Sequence, residues 1–354
     1  EHMTFQDLFG TTFPIIQAPM AGVQGAALAV AVSNAGGLGS LPCAMLSTEA
    51  LHKELQILQS GTQHPYNVNF FCHRQPKPDA VREAHWRETL SPYFHELGVD
   101  PSTIVSGPGR FPFSHESADV LEKYRPAVVS FHFGLPSAEL VARVKSWGSK
   151  VISSATTVDE ASWLQEQGVD AIIAQGLEAG GHRGMFLSND ITTQVGTLAL
   201  LPQVVASVNI PVIAAGGIAS AAGVKAAMTL GATGVQVGTA FLLCPEATTS
   251  SVHRAALHST QARETALTNL FSGRPARGVV NRIMREQGPM STSVPAFPFA
   301  PAALAPLRAC AEALGSGDFS PLWAGQNAST CKAVPASDLV RELAASSPVM
   351  TTTL

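Results

Sequence analysis

The stretches Pro211-Val-Ile-Ala-Ala-Gly-Gly-Ile218 and Gly234-Val-Gln-Val-Gly-Thr239 decide how this chain folds. Each is a short apolar strand that ends in glycine, and residues 220–230 between them have a helical pattern. Glycine lacks a Cβ, so its backbone N–H groups can come close to a ligand. Two such loops on the last two strands of a (β/α)₈ barrel form the usual phosphate site of that fold. We therefore expect a barrel that binds a phosphate-bearing cofactor.

Six further apolar runs precede these two, and helical patterns separate them. Most runs are rich in Val and Ile, as expected of parallel strands that are buried on both faces. This alternation predicts βαβ units, and eight strands favour a closed α/β TIM barrel over an open sheet. No Gly-x-Gly-x-x-Gly motif opens a helix after the first strand, which argues against a Rossmann domain. The predicted strands cover residues 14–18, 37–41, 66–70, 127–132, 150–154, 170–174, 211–215 and 234–237, and the predicted helices cover 26–34, 48–59, 117–123, 137–147, 158–167, 197–208 and 220–230.

Two segments exceed what a barrel needs. One is an insertion at about residues 72–125, with a predicted helix over 80–97, and the other follows the eighth strand. Long insertions in a compact domain are usually lids or substrate-selecting elements. We expect a barrel over residues 3–243, a smaller cap or substrate-binding region over 244–325, and a C-terminal region over 326–354 whose helix packs back on the barrel.

Composition limits the classes of partner. The 354 residues contain 22 Lys and Arg against 26 Asp and Glu, a formal net charge of −4. No basic run indicates nucleic acid or an anionic membrane, and no apolar stretch is long enough to span a bilayer. The five cysteines form no CxxC pair, which is typical of reduced thiols. We therefore expect a cytoplasmic protein without nucleic-acid or membrane partners.

The carboxyl ends of barrel strands carry the active site in this fold, and polar residues gather there. The amides of Asn69 and Gln175 each offer a donor and an acceptor, which suits a heteroaromatic ring such as a flavin. The alternative is that they cap the ends of their strands. Met20 and Ala21 would present backbone and a small side chain to a ring, or form an ordinary turn.

Histidine provides the catalytic candidates. His182 lies in a loop after the sixth strand that contains four glycines, so its imidazole can approach a ligand as base, acid or local cation. His132 ends the fourth strand between two phenylalanines and is either a substrate contact or a packed core residue. Arg274 and Arg277 either bind an anionic substrate group or belong to a solvated lid. The remaining histidines form no ligand set, so we expect no metal site.

Six motifs in this order resemble the nitronate monooxygenase family, formerly called 2-nitropropane dioxygenases. The resemblance covers nearly the whole chain, and two further stretches are similar to its class I members, Asn69-Phe-Phe-Cys-His73 and Phe131-His-Phe-Gly-Leu-Pro136. The six motifs are Gln17-Ala-Pro-Met20, Ser33-Asn-Ala-Gly-Gly-Leu-Gly39, Asn67-Val-Asn-Phe70, Gly180-Gly-His-Arg-Gly184, Ala215-Gly-Gly-Ile218 and Gln236-Val-Gly-Thr239.

The resemblance implies FMN as cofactor, no metal, and oxidation of alkyl nitronates by O₂ to a carbonyl compound plus nitrite or nitrate. It implies propionate 3-nitronate as the physiological substrate and His182 as the active-site histidine. We further expect a monomer or a homodimer. The chain has only three tyrosines, none of them in the cap, so the substrate-pocket tyrosines of some members have no counterpart. By motif, the implied FMN-binding residues are Ala18, Met20, Asn69, Gln175, Gly180, Gly181, Gly216, Gly217, Gln236, Gly238 and Thr239.

Two other functions stay open on the sequence alone. The stretches Ser272-Gly-Arg-Pro-Ala-Arg277 and Ala324-Gly-Gln326 are similar to segments of FMN-dependent enoyl-acyl-carrier-protein reductases, which implies a reductase of an enoyl thioester or quinone that uses NAD(P)H. The other alternative is a barrel that binds a phosphate ligand without turnover.

Two roles for His182 are also open. A nitronate needs no base, and positive potential helps to bind it. No lysine ends a predicted strand, so we expect protonated His182 to supply that charge. A neutral nitroalkane would instead need neutral His182 as its base.

Overall fold

The computed structural model describes residues 3–345. Its strands alternate with helices along most of the chain. The strands are β1 (Ile15–Gln17), β2 (Gly39–Pro42), β3 (Tyr66–Phe71), β4 (Val128–His132), β5 (Lys150–Ala155), β6 (Ala171–Gln175), β7 (Gly181–His182), β8 (Val212–Ala215), β9 (Gly234–Val237), β10 (Thr265–Thr268) and β11 (Ala276–Val279). The α-helices are α1 (Phe5–Phe9), α2 (Ala26–Asn34), α3 (Thr48–Gly61), α4 (Ala80–Leu97), α5 (His115–Glu122), α6 (Ala138–Ser146), α7 (Val158–Glu166), α8 (Thr197–Ser207), α9 (Ala221–Thr229), α10 (Ser251–His258), α11 (Arg282–Gln287), α12 (Pro301–Ala313) and α13 (Ala336–Ala344).

Eight of these strands form the predicted parallel barrel. Their order is β1-β9-β8-β6-β5-β4-β3-β2. The two ends of this sheet meet, because Gln17 N donates to Leu38 O at 2.9 Å and Leu38 N donates to Ile15 O at 2.8 Å. The TIM-barrel prediction is therefore confirmed, with each of the eight predicted strands found within two residues of its expected bounds.

The amino end of the barrel is closed by α1, which the sequence analysis did not predict. Thr4 and Asp7 form a capping box at its start, and Gly10 ends it in a left-handed conformation. Phe5 and Phe9 pack into one apolar cluster with residues from the barrel interior such as Ile16. A cavity in this barrel can therefore open only at the carboxyl ends of the strands.

A second apolar core lies outside the barrel. Trp86 and Leu90 of α4, in the insertion, pack with Leu304 and Leu307 of α12, beyond the eighth barrel strand. Strands β10, β11 and β7 also form a small antiparallel sheet that was not predicted. The insertion and the segment after the barrel thus support each other, while the proposed domain boundaries stay a prediction.

Helix α13 contributes Leu339, Val340 and Leu343 to the main core, where it contacts α2 and α9. Residues 346–354, which complete the predicted C-terminal region, lie outside the described residues. All five cysteines are unpaired. Among residues 3–345, no helix combines the length and apolar character that a membrane span requires.

Candidate active site

A cavity opens at the carboxyl ends of the barrel strands. Both predicted histidines, His132 and His182, lie on its wall. The wall also contains all eleven residues that the motifs assigned to a cofactor, namely Ala18, Met20, Asn69, Gln175, Gly180, Gly181, Gly216, Gly217, Gln236, Gly238 and Thr239.

The amide of Gln175 holds the loop that follows β6. Its Nε2 donates to His182 O at 2.9 Å, and its Oε1 accepts from Gly184 N at 2.7 Å. Arg183, which is fully buried, donates to Gln175 O at 2.9 Å and to Gly176 O at 2.7 Å. These contacts fix the backbone on both sides of His182. Gln175 therefore positions the loop as well as lining the cavity.

The backbone of His182 also belongs to the small sheet, where it pairs with Ala276 of β11. Its Nε2 lies 2.7 Å from Ser272 Oγ, which also donates to Arg274 O at 3.2 Å. When the single hydroxyl proton of Ser272 points to that carbonyl, His182 Nε2–H donates to Ser272. The imidazole Nδ1 then keeps the lone pair that a base requires.

Aromatic rings surround His182. The ring centroids of Phe71, Phe133, Phe297 and Trp323 lie 6.1, 5.9, 5.5 and 5.7 Å from that of the imidazole. These residues are distant in sequence, and together they keep much of the water away from the histidine. The arrangement favours the uncharged form of the imidazole.

The pKa of His182 is lowered well below its usual value, first by burial and then by the charge of Arg110. The imidazole is therefore neutral at neutral pH. The expectation that protonated His182 supplies positive potential is wrong for this structure, because neighbours from distant parts of the chain disfavour its charge. A neutral imidazole suits the other role, that of a base.

His132 supports the same loop. Its Nε2 lies 3.2 Å from His182 O, and its Nδ1 lies 3.1 Å from Ser154 Oγ. A carbonyl oxygen only accepts, so Nε2 carries the proton. Burial lowers the pKa of His132 to about 4. His132 is thus both packed and on the cavity wall, so neither of the two sequence interpretations covers it alone.

The two glycine loops face the cavity side by side. Gly216 and Gly217 have φ of +117° and +73°, conformations that side chains rarely adopt. Asn327 Nδ2 donates to Gly217 O at 2.6 Å, and Gly325 N donates to Thr239 Oγ1 at 2.9 Å. A segment at the end of the predicted cap region therefore fastens both loops. Helix α9 begins just after the first loop, and a helix N-terminus favours an anion.

Gln236 shows an unsatisfied polar group on the same wall. Its Oε1 is buried and has no hydrogen-bond partner among the described residues. Gly181 has φ of +71°, and a Cβ added there would meet nothing within 4 Å. An acceptor without a donor and open space beside His182 fit a planar ligand with N–H groups, as a flavin has.

The two predicted arginines do not line the cavity. Arg277 is buried, and it donates to Leu177 O at 3.0 Å and to Thr265 Oγ1 at 3.1 Å. Arg274 donates to Met185 O at 3.1 Å and lies 4.3 Å from the ring centroid of Phe133. The expectation that this pair contacts substrate is not met, because both guanidinium groups hold other parts of the protein. Neither belongs to a solvated lid.

Several residues of the wall lie outside the site that was predicted from the sequence. Arg110 comes from the insertion, His253 from α10, and Trp323 and Asn327 from the segment after α12. Trp323 and Asn327 flank the Ala324-Gly-Gln326 stretch that the sequence had singled out, so that motif could have found them. Arg110 and His253 lie in no pattern that indicates a site.

The comparisons agree with this geometry. The sequence profile of the nitronate monooxygenase family matches residues 2–346. The chain is 42% identical over 348 residues to the nitronate monooxygenase of Pseudomonas aeruginosa, covering 96% of this chain and 97% of that protein. It is 42% identical over 338 residues to that of Paraburkholderia phytofirmans, covering 95% and 92%.

Solved structures show the same likeness. Nitroalkane oxidase from Streptomyces ansochromogenes has a TM-score of 0.87 and 38% identity, with 97% of each chain covered. FabK from Thermotoga maritima has a TM-score of 0.70 and 26% identity, over 97% of this chain and 95% of that one. The barrel, the site at its strand ends and these matches together identify the chain as an oxidoreductase that belongs to the nitronate monooxygenase family.

Proposed function

We propose that this enzyme is an FMN-dependent nitronate monooxygenase. It takes a small anionic alkyl nitronate, such as propionate 3-nitronate, and O₂, and it forms a carbonyl compound plus nitrite or nitrate. The observation that carries the proposal is that His182, the two glycine loops and the unpaired Oε1 of Gln236 lie on the wall of one cavity. The names of the relatives from Pseudomonas aeruginosa and Streptomyces ansochromogenes support the same chemistry.

The residues on the wall suit FMN. The loops at Gly216–Gly217 and Gly238–Thr239 would hold its phosphate, and the free Oε1 of Gln236 would accept a hydrogen bond from its ring. Asn69 lies across the barrel on β3, where its Nδ2 donates to Ser130 Oγ at 2.9 Å. When bound, FMN supplies the electron-accepting chemistry of the reaction.

His182 determines which form of substrate can react. A nitronate has already lost its α-proton, so it needs only to be bound and oriented. A neutral nitroalkane must lose that proton, and the imidazole of His182 can accept it at the nitrogen that is not bonded to Ser272. The contacts of Gln175 and His132 with His182 O keep the imidazole in place during this transfer.

The cellular setting, the oligomeric state and the partners of the enzyme are also part of this proposal. All five cysteines are unpaired, which supports a reducing, cytoplasmic setting. We further propose a monomer or a homodimer that acts on small molecules, without nucleic-acid or membrane partners.

A reductase is the second candidate, and the similarity of Ser272-Gly-Arg-Pro-Ala-Arg277 and Ala324-Gly-Gln326 to segments of FMN-dependent enoyl-acyl-carrier-protein reductases favours it. Such an enzyme would take electrons from NAD(P)H instead of a nitronate. A phosphate-binding barrel without turnover is the third candidate. The three differ in which molecule reduces the flavin, if any does.

The test is anaerobic mixing of the purified holoenzyme with each electron donor. Flavin bleaching by propionate 3-nitronate, together with O₂ consumption in air and little NADH oxidation, is the expected result. Rapid bleaching by NADH alone would transfer the assignment to the reductase. Bleaching by neither donor would favour the third candidate, and a colourless protein that takes up no added FMN would refute the cofactor.

A further inference from the structure

Arg110 stands apart from the other residues on the cavity wall. It is the one Arg, Lys, Asp or Glu among the described wall residues. Burial lowers the pKa of each wall histidine, and that of His132 and of His253 to about 4, so these rings are neutral near pH 7. The cavity therefore offers a single positive charge and no negative one.

No described side chain or carbonyl is bonded to this guanidinium. Among residues 3–345, the structure gives Arg110 no hydrogen bond and no ion pair. The other arginines near the site are engaged, since Arg274 and Arg277 donate to backbone carbonyls and Arg308 pairs with Glu312 at 2.9 Å. A half-buried guanidinium without a partner is costly, and an anionic ligand would offset that cost.

Arg110 lies at the rim of the cavity, in a loop that is attached across the barrel from Gly216 and Gly217. Its neighbours Gly109 and Phe111 are exposed, Phe111 at 66%. The loop is fastened to β3, because Phe113 N donates to Phe71 O at 2.9 Å. In the closed circle of strands β3 is opposite β8, which carries one of the glycine loops. The phosphate of a cofactor held there would therefore not be the partner of Arg110.

We propose that Arg110 binds a carboxylate at the end of the substrate remote from the reacting carbon. The reacting carbon must lie beside His182, so an extended substrate directs its other end to the rim. A guanidinium binds a carboxylate through two parallel hydrogen bonds. Arg110 thus makes the enzyme select nitronates that carry a carboxylate. The substrate in this inference comes from the proposed function, whereas the binding site is inferred from the residues of the cavity wall.

The kinetic test compares two nitronates of equal chain length, propionate 3-nitronate and propyl-1-nitronate. In the Arg110→Gln holoenzyme, kcat/KM should fall roughly 10- to 100-fold for the carboxylate-bearing substrate, mainly through KM. The other substrate should change little. Arg110→Lys should restore part of the loss. Arg82→Gln removes the same charge from an exposed position of the same insertion and should leave the preference unchanged.

Equal losses on both nitronates would overturn the inference and would indicate that Arg110 contacts the nitronate group. No loss on either would overturn it as well. A calorimetric titration of the holoenzyme with succinate, which carries two carboxylates at a similar spacing, does not depend on turnover. Wild type should bind it at least about tenfold more tightly than Arg110→Gln. Equal affinities would refute the site even if the wild type oxidised neither nitronate, a result that would separately refute the proposed function.

Discussion

Replacement of His182 by Asn tests the chemistry of the site most directly. Asn keeps a hydrogen-bonding side chain of similar size but cannot accept a proton in the neutral pH range. For neutral nitroalkanes, kcat/KM should fall roughly 10²- to 10⁴-fold, the usual loss when a general base is removed. Preformed nitronates should lose much less, because no proton has to leave them. FMN content should stay near that of the wild type.

The structure adds a pH dependence with a definite sign. Burial and the charge of Arg110 lower the pKa of His182 well below 6.5, so the base form is already complete at neutral pH. For neutral nitroalkanes, wild-type kcat/KM should be flat above about pH 6.5 and should fall as the pH drops through the lowered pKa. The nitronate reaction should lack that acid limb. A cationic role would give the opposite trend, with activity that rises toward acid pH.

Oxygen consumption is measured with nitroethane, a neutral nitroalkane, and with ethyl nitronate, a preformed nitronate. His52→Asn is a matched control, because His52 also lies against an aromatic ring and bonds a hydroxyl, with Nδ1 2.8 Å from Tyr124 Oη. It lies on α3, away from the cavity wall, and should keep wild-type rates. Equal losses on both substrates in His182→Asn would indicate a positioning role. Wild-type rates on both would refute the assignment of the catalytic centre.

Three further changes probe the parts that surround this histidine. Gly217→Asp puts a carboxylate and a side chain at φ +73° where a phosphate would bind, so it should abolish FMN binding; FMN absorbance at wild-type stoichiometry would contradict this. Gly180→Ala brings a Cβ within 2.6 Å of the carbonyl carbon of Ala324, and urea denaturation should show a destabilisation of roughly 1–3 kcal/mol. An unchanged urea midpoint would show that the backbone at residues 180 and 324 can move apart without a cost in stability. Ser272→Ala removes the partner of His182 Nε2, so kcat for neutral nitroalkanes should fall up to about tenfold with little change in KM; a loss confined to KM would place Ser272 in substrate binding instead.

The barrel could be predicted because its strands are buried on both faces. Such strands are continuous apolar runs, and they keep that pattern whatever packs around them. The small sheet has no comparable pattern. Its strand β7 is two residues long, Gly181–His182, and it exists because β11 from a distant part of the chain pairs with it. The helix α1 has five residues, too few for a periodic pattern to be recognised.

The residues of the site also divide into those that a local sequence pattern predicts and those that depend on distant contacts. The glycine loops and His182 were found because the carboxyl ends of parallel strands must meet at one end of a barrel. Arg110 was missed because its position depends on the insertion, whose helix α4 packs against α12. The predicted protonation state of His182 was wrong for a related reason. The pKa of this histidine depends on its burial and on Arg110, and neither can be recognised from the sequence around residue 182.

The cavity has two halves, and one segment of the chain, residues 322–327, supports both. The glycine loops leave β8 and β9 and are fastened by Gly325 and Asn327, and Ala324 N of the same segment donates to Arg277 O of β11 at 3.2 Å. His182 is held by β11 and Ser272 of the cap, and Arg110 reaches the rim from the insertion. Changes in the insertion can therefore alter Arg110 without touching the glycine loops, whereas changes in the cap can reach His182 and those loops together.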